Sequence, residues 1–211
     1  MARARPALLT VVLSGAAVLG YLTYRVLSSP GAPPAQTTAA SDDTASQAPV
    51  VEQLAATLPD FSLANLEGHP QSIHSWPGKA LVINFWATWC GPCLREIPML
   101  KEFQTAHADA MQVVGIAVDR REPVVGFADK MQFNYPILMG ESDAWEAAAK
   151  FGVDFYALPF TVFTAADGSV LGVHTGELEP EQLENVTATL DDLTAGKITV
   201  TEARERLAGR I

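Results

Sequence analysis

The chain predicts an α/β fold in which buried strands alternate with helices, and three stretches carry that reading. Leu81, Val82, Ile83, Phe85 and Trp86 form a short apolar run rich in β-branched and aromatic residues, the pattern of a strand covered on both faces. The run passes through a tight turn, Cys90-Gly91-Pro92-Cys93, into a helix whose apolar residues Leu94, Ile97, Leu100 and Phe103 recur at helical spacing. A second apolar run, Met111 to Val118, reads as a buried parallel strand. A hydrophobic content of 48% supports a real core, and 211 residues suffice for one domain of ordinary size with additions.

Residues 1–27 read as a targeting segment. Arg3 and Arg5 precede an uncharged run from Pro6 to Tyr24, and Ala7 to Leu27 is long enough as a helix to span a hydrocarbon core of about 30 Å. The positive N-terminus predicts a cytoplasmic start and an exported body. The expectation is an uncleaved, single-pass anchor; the alternative is a cleaved signal peptide that leaves a soluble exported protein. Residues 28–49, rich in Ala, Pro, Ser and Thr, are expected to be a flexible linker. The folded domain is placed at residues 50–195 and a C-terminal, helical extension at 196–211.

Within the domain, Val50 to Leu58 is expected to form a short lead-in helix. Pro59 to Ile73 reads as a β-hairpin turning at Glu67-Gly68. Gly91 and Pro92 suit the first turn of the helix that follows them, where a missing N–H costs little. Pro98 falls inside that helix and removes a hydrogen bond to the carbonyl of Leu94. Pro123 to Met131 predicts a helix and Tyr135 to Met139 a short strand. Asp143 is expected to cap a helix that runs to Lys150 and ends at Gly152. Thr161 to Phe163 and Val170 to His174 read as strands joined by an Asp167-Gly168 turn, the second at a sheet edge. A last helix opens at Glu179 and carries Leu183, Val186 and Leu190, and Val200, Ala203 and Leu207 share one face of the extension.

The formal charge is −10, and with Arg3, Arg5 and Arg25 set aside the rest carries −13, which argues against nucleic acid or anionic lipid as a partner of the domain. Cys90 and Cys93 are the only two cysteines. Cys90 at a helix start would gain thiolate character from the helix dipole and the free N–H groups. A second thiol three residues on can resolve a mixed disulfide, so the spacing suits two-electron exchange. A structural disulfide, half of a metal site and inert buried thiols are the competing readings. A loop this short constrains the unfolded chain little, and zinc wants four ligands where only these two cysteines exist. His69, His74, His107 and His174 show no metal-ligand spacing and read as surface or loop residues.

Trp89-Cys90-Gly91-Pro92-Cys93, preceded by Phe85-Trp86-Ala87, resembles the active-site motif of thioredoxins. Together with Pro59-Asp60-Phe61-Ser62-Leu63, Gly78-Lys79, Asn84 and Glu96-Ile97-Pro98, the pattern from about Leu58 to Leu193 resembles the TlpA/ResA branch of membrane-tethered, extracytoplasmic thioredoxins. The resemblance implies a thioredoxin fold: a central mixed sheet flanked by helices, with an N-terminal β-hairpin, a TlpA-like insertion after the second buried strand and one transmembrane helix ahead of it. It implies a redox-active Cys90–Cys93 disulfide in which Cys90 is the exposed nucleophile and Cys93 the more buried resolving thiol. It implies that Glu96 handles the proton of Cys93, against the bland reading of a solvated residue paired with Arg95 or Lys101. It also implies that Pro159 is a cis-proline facing the disulfide, and that Trp89, Gly91, Pro92, Leu158 and Pro159 meet the partner, whose backbone would pair with Leu158 as an added strand. Asn84 departs from cytoplasmic thioredoxins, which carry a buried aspartate there; an amide cannot act as a base.

The function implied is an extracytoplasmic thiol–disulfide oxidoreductase at the cytoplasmic membrane, with its domain facing the periplasm, working without a cofactor or metal. The Gly-Pro dipeptide resembles that of reducing thioredoxins, so the expected direction is reduction of disulfides in exported proteins, apocytochrome c among them, with electrons from a membrane thiol donor. A copper chaperone of the same fold is the alternative, but its third ligand is missing from the Ala157-Leu158-Pro159 neighbourhood. A peroxiredoxin shares the Pro-Asp-Phe-Ser-Leu opening, yet needs Thr-x-x-Cys, which Ala87-Thr88-Trp89-Cys90 does not provide.

Overall fold

The computed structural model describes residues 54–153 and 157–208. The expected anchor and linker and the start of the expected lead-in helix lie outside the described residues. Among those described, no helix is long and apolar enough to cross a membrane.

Seven strands form one mixed sheet in the order β2-β1-β5-β4-β3-β6-β7. They are β1 (Ser62–Asn65), β2 (Pro70–Ser72), β3 (Ala80–Trp86), β4 (Met111–Val118), β5 (Ile137–Gly140), β6 (Phe160–Thr164) and β7 (Val170–Thr175). β3, β4 and β5 run parallel, while β6 is antiparallel to β3 and β7 to β6. β1 is antiparallel to both β2 and β5. Gly68 turns the chain between β1 and β2 at φ +87°, a conformation that glycine adopts without steric cost.

Every residue of β3 and β4 is buried. Their side chains alternate between two cores, as a pleated strand requires. Val82 and Trp86 join Val113 and Ala117 on one face, beneath α1 (Gly91–His107), α2 (Arg121–Met131), α4 (Pro180–Thr194) and α5 (Val200–Leu207). Leu81, Ile83 and Phe85 face the other way with Val114 and Ile116, beneath α3 (Ser142–Lys150) and Phe151. Two covered faces explain why these strands read as unbroken apolar runs.

Local boundaries differ from expectation in three places. Leu54–Leu58 is not helical: Thr57 bridges Ser169, the Leu58 N–H donates to Gly168 O at 2.7 Å and Val170 N–H to Ala56 O at 3.1 Å. Pro59 disfavours a helical Leu58, and pairing with the β6–β7 turn satisfies the backbone instead. Asp143 is not a cap. Glu141 holds that position without a side-chain bond, and Asp143 sits in the first turn of α3, where its charge meets the helix dipole. The third strand of the parallel set is β5 at Ile137–Gly140, so Tyr135 precedes it in the loop.

The extension is a helix with a built start. Thr199 and Glu202 form a capping box, and Ala203 and Leu207 are fully buried against the α4 side of the core. Arg204 donates to Val170 O at 2.8 Å and to Ala56 O at 2.7 Å, which ties the extension to β7 and to the Leu54–Leu58 segment at once. Replacing Leu207 with Ala should lower the unfolding free energy by about 2–5 kcal/mol. A leftward shift of the urea midpoint checks this; an unchanged midpoint would mean that α5 adds nothing to the domain.

Candidate active site

The site forms where β3 ends. Ala87 to Trp89 lead out of the sheet, and Cys90 takes the N-cap position of α1 with φ −89° and ψ 101°. Gly91 and Pro92 fill the first helical positions, and the Cys90 Sγ accepts the Cys93 N–H at 3.3 Å. Sulfur thus does what a Ser or Asp oxygen does at other helix starts. Cys90 and Cys93 are joined by a disulfide, S–S 2.01 Å. Cys93 is completely buried, as expected. Cys90 is only 5% exposed, more covered than expected, because it packs into the apolar cluster beneath α1. The exposed group beside it is Trp89, at 70%.

Antiparallel pairing of β6 with β3 sets Phe160 opposite Phe85, with their rings stacked at 4.3 Å. This register delivers Leu158 and Pro159 to the end of β3 from which the cysteine turn departs. The Leu158–Pro159 bond is cis, and Pro159 O accepts the Gly176 N–H at 2.9 Å.

Three residues beyond Cys93 on α1 lies a polar group inside an apolar core. Glu96 is 2% exposed. Its Oε1 accepts from the Asn84 amide at 2.7 Å, and its Oε2 accepts the backbone N–H of Leu178 at 2.8 Å. The same Asn84 nitrogen donates to Thr161 Oγ1 at 3.0 Å, which leaves Asn84 Oδ1 buried without a partner. Glu96 is therefore not the solvated residue of the bland reading: Arg95 pairs with Glu177 instead, and Lys101 donates to Met131 O. Burial drives the Glu96 carboxyl up to about 7; the Leu178 amide and Asn84 pull it back down, and the charge of Glu177 adds to the rise. Tyr135 is also pushed up, by burial first and by Glu96 second.

Trp86 is buried against Phe127 and Phe133, each 5.5 Å away, with no partner for its Nε1. Gly115, paired with Asn84 across β3–β4, leaves room for that indole. A Cβ there would sit 2.7 Å from Ile137 Cδ1 and 3.1 Å from Trp86 Nε1. Of the four histidines, His74 meets Asp60 at 2.9 Å, His107 lies against Phe103, and the His174 Nε2 reaches Glu177 O at 3.1 Å. No group of three or more metal-ligating side chains occurs among the described residues.

Several residues at the site escaped sequence reasoning. Thr161 and the Leu178 amide carry no recognisable signal, because they reach Glu96 only through the sheet and the turn after β7. Asp119 could have been found: a lone carboxylate just past a buried parallel strand stands at the C-terminal edge where sites collect. It accepts from both the backbone N–H and the hydroxyl of Thr88, and so braces the loop that carries Trp89.

A mixed sheet of this order, with a Cys-Gly-Pro-Cys disulfide capping the helix after the central strand, defines a thioredoxin-fold redox protein. Residues 53–190 match the Redoxin family model, and the chain belongs to that family. It is a TlpA/ResA-like thiol:disulfide oxidoreductase. The chain is 34% identical to the thioredoxin-like protein YneN of Bacillus subtilis over 130 residues, which cover 60% of this chain and 74% of that one. It is 33% identical to the thiol-disulfide oxidoreductase ResA of Geobacillus kaustophilus over 132 residues, covering 61% and 73%. Among solved structures, a thioredoxin-family thiol:disulfide interchange protein of Chlorobium tepidum superposes with a TM-score of 0.58 at 29% identity, covering 64% of this chain and 95% of that one.

The raised Glu96 carboxyl gives the oxidised domain a defined pH dependence. Between the unfolded value near 4.5 and the folded value of about 7, the folded protein holds a proton that the unfolded chain has released. Stability therefore falls as pH rises through that window, by up to about 3 kcal/mol, and levels off above it. Glu96→Gln should flatten this slope when urea unfolding is compared at about pH 5 and about pH 8; an equal slope in both proteins would assign the dependence elsewhere.

Proposed function

We propose that the protein reduces disulfides of exported proteins through a Cys90/Cys93 dithiol, with Glu96 as the proton acceptor of the resolving step. The observation that carries this reading is the buried Glu96 carboxyl, which lies three residues beyond the buried Cys93 on the helix that the Cys90 sulfur caps. In the reduced protein the Cys90 thiolate attacks one sulfur of the partner's disulfide. An S–S bond forms to Cys90, the partner's S–S bond breaks, and the departing partner sulfur takes a proton from solvent. Cys93 then attacks Cys90, its thiol proton passes to Glu96, and the second partner sulfur leaves. Two electrons have moved to the partner, and the Cys90–Cys93 disulfide remains.

Trp89, Gly91, Pro92, Leu158 and Pro159 form the contact zone for the partner in this reading. The exposure of Trp89 and the arrival of Leu158 and Pro159 at the end of β3 support it. Residues 1–27 act as the membrane anchor, and the domain works on the periplasmic side. Electrons come from a membrane thiol donor, and apocytochrome c, with its paired haem-attachment cysteines, is the partner class proposed. The ResA name of the relatives supports the reaction class.

Cys90→Ala should abolish reduction of a disulfide-bonded model protein. Glu96→Gln should slow the resolving step by roughly 10²-fold and erase the rate increase that accompanies Glu96 ionisation near neutral pH. Stopped-flow measurement of mixed-disulfide decay against pH checks both, and a pH profile unchanged by Glu96→Gln would remove Glu96 from the mechanism. Cys93→Ala, expressed in the cell envelope, should accumulate partners linked to Cys90. Apocytochrome c among them would place the protein in cytochrome maturation, a broad set of exported proteins would make it a general reductase, and no adducts from a folded, exported protein would overturn the exchange mechanism.

A further inference from the structure

Arg95 and Glu177 form an ion pair at the mouth of the site that the reaction above leaves without a role. Arg95 lies on the first turns of α1. Its Nε donates to both Glu177 carboxylate oxygens at 3.0 and 3.1 Å, and its Nη2 donates to Oε2. A Cβ added at Gly91 would lie 3.8 Å from Arg95 Nη1, so the pair borders the cysteine turn. Arg95 is 62% exposed, and a surface pair of this kind contributes little to stability. Its consequence is positional. Glu177 immediately precedes Leu178, whose N–H is one of the two donors to Glu96. The same short turn between β7 and α4 is fastened from its other side by His174, whose Nε2 lies 3.1 Å from Glu177 O.

We propose that the Arg95–Glu177 pair is a positioning device for Glu96: it clamps the β7–α4 turn onto α1, keeps the Leu178 amide on Glu96 Oε2, and neutralises the Glu177 carboxylate. This rests on the reading of Glu96 as proton acceptor. The groups that act on Glu96 come from several elements: Asn84 from β3, with Thr161 of β6 behind it, Tyr135 from the loop before β5, and Leu178 and Glu177 from the turn after β7. The charge of Glu179 also favours the charged form of Arg95.

The two halves of the pair have opposite consequences for Glu96, and that separates a positioning role from a merely structural one. Removing Arg95 loosens the Leu178 bond and bares the Glu177 charge, and both changes favour a protonated Glu96. Neutralising Glu177 as Gln removes the repulsive charge, while its amide oxygen still accepts from Arg95, so Glu96 becomes easier to ionise.

The test is carboxyl-detected NMR titration of Glu96 in the oxidised protein, together with hydrogen exchange of the Leu178 amide. Arg95→Ala should move the Glu96 midpoint upward by about half a unit or more and speed Leu178 exchange at least about 10-fold. Arg95→Lys, which keeps the charge but loses the fork, should fall between it and the native protein. Glu177→Gln should move the midpoint downward. An Arg95→Ala protein with native Leu178 exchange and a native midpoint overturns the proposal, as does a downward shift in that variant. Both readouts are made without turnover, so they are independent of whether Glu96 accepts the thiol proton; a shifted midpoint with no effect of Glu96→Gln on resolution would retain the clamp and reject the acid–base role.

Discussion

Strand β3 is the constraint on which the site depends. It is buried on both faces and paired on both sides, so it has no freedom to shift register. Its last residue fixes where α1 begins, and that fixes the helix start on which Cys90 sits. The parallel neighbour β4 ends beside it and supplies Asp119 to the Thr88 loop, while the antiparallel neighbour β6 begins beside it and supplies Leu158 and Pro159. Three chain segments far apart in sequence thus converge because their hydrogen-bond ladders share one central strand.

The alternation of side chains along that strand also decides where polarity is allowed. Leu81, Ile83 and Phe85 feed an apolar core that closes with Phe151 and α3. Val82, Asn84 and Trp86 point to the other face, beneath α1, and Asn84 is the polar member of that row. Its amide is committed to Glu96 and Thr161, so the polar island is bounded: a carboxyl with two donors, an amide with one unused oxygen, and apolar walls around them. Leaving a carboxyl there costs stability at neutral pH, a cost that fits the proposed uptake of the Cys93 proton by Glu96. The same logic accounts for an ion pair held at the solvent edge, where it acts on Glu96 through the backbone of Leu178.

The C-terminal helix and the Leu54–Leu58 segment meet at the opposite end of the sheet from the cysteines. Arg204 bonds a carbonyl from each of β7 and the Ala56 segment, and Leu207 fills the core beside α4. Packing here stabilises the scaffold without approaching the chemistry, which keeps the reaction end clear.

Much was legible in the chain itself. Unbroken apolar runs marked β3 and β4 because both faces are covered, and Cys-Gly-Pro-Cys at a strand-to-helix turn marked the redox site because a helix N-terminus favours a thiolate. The spacing of Glu96 from Cys93 placed it on the right helix face. Local signals failed where tertiary contacts outweighed them: the Leu54–Leu58 segment pairs with a turn more than a hundred residues away, and Asp143 yields the cap to Glu141. What only the tertiary structure decided is the state of Glu96. Its burial, its bond to Leu178 and the charge of Glu177 come from a turn 82 residues distant, and a carboxyl's proton affinity is set by the dielectric and the donors around it, which no single stretch of sequence contains.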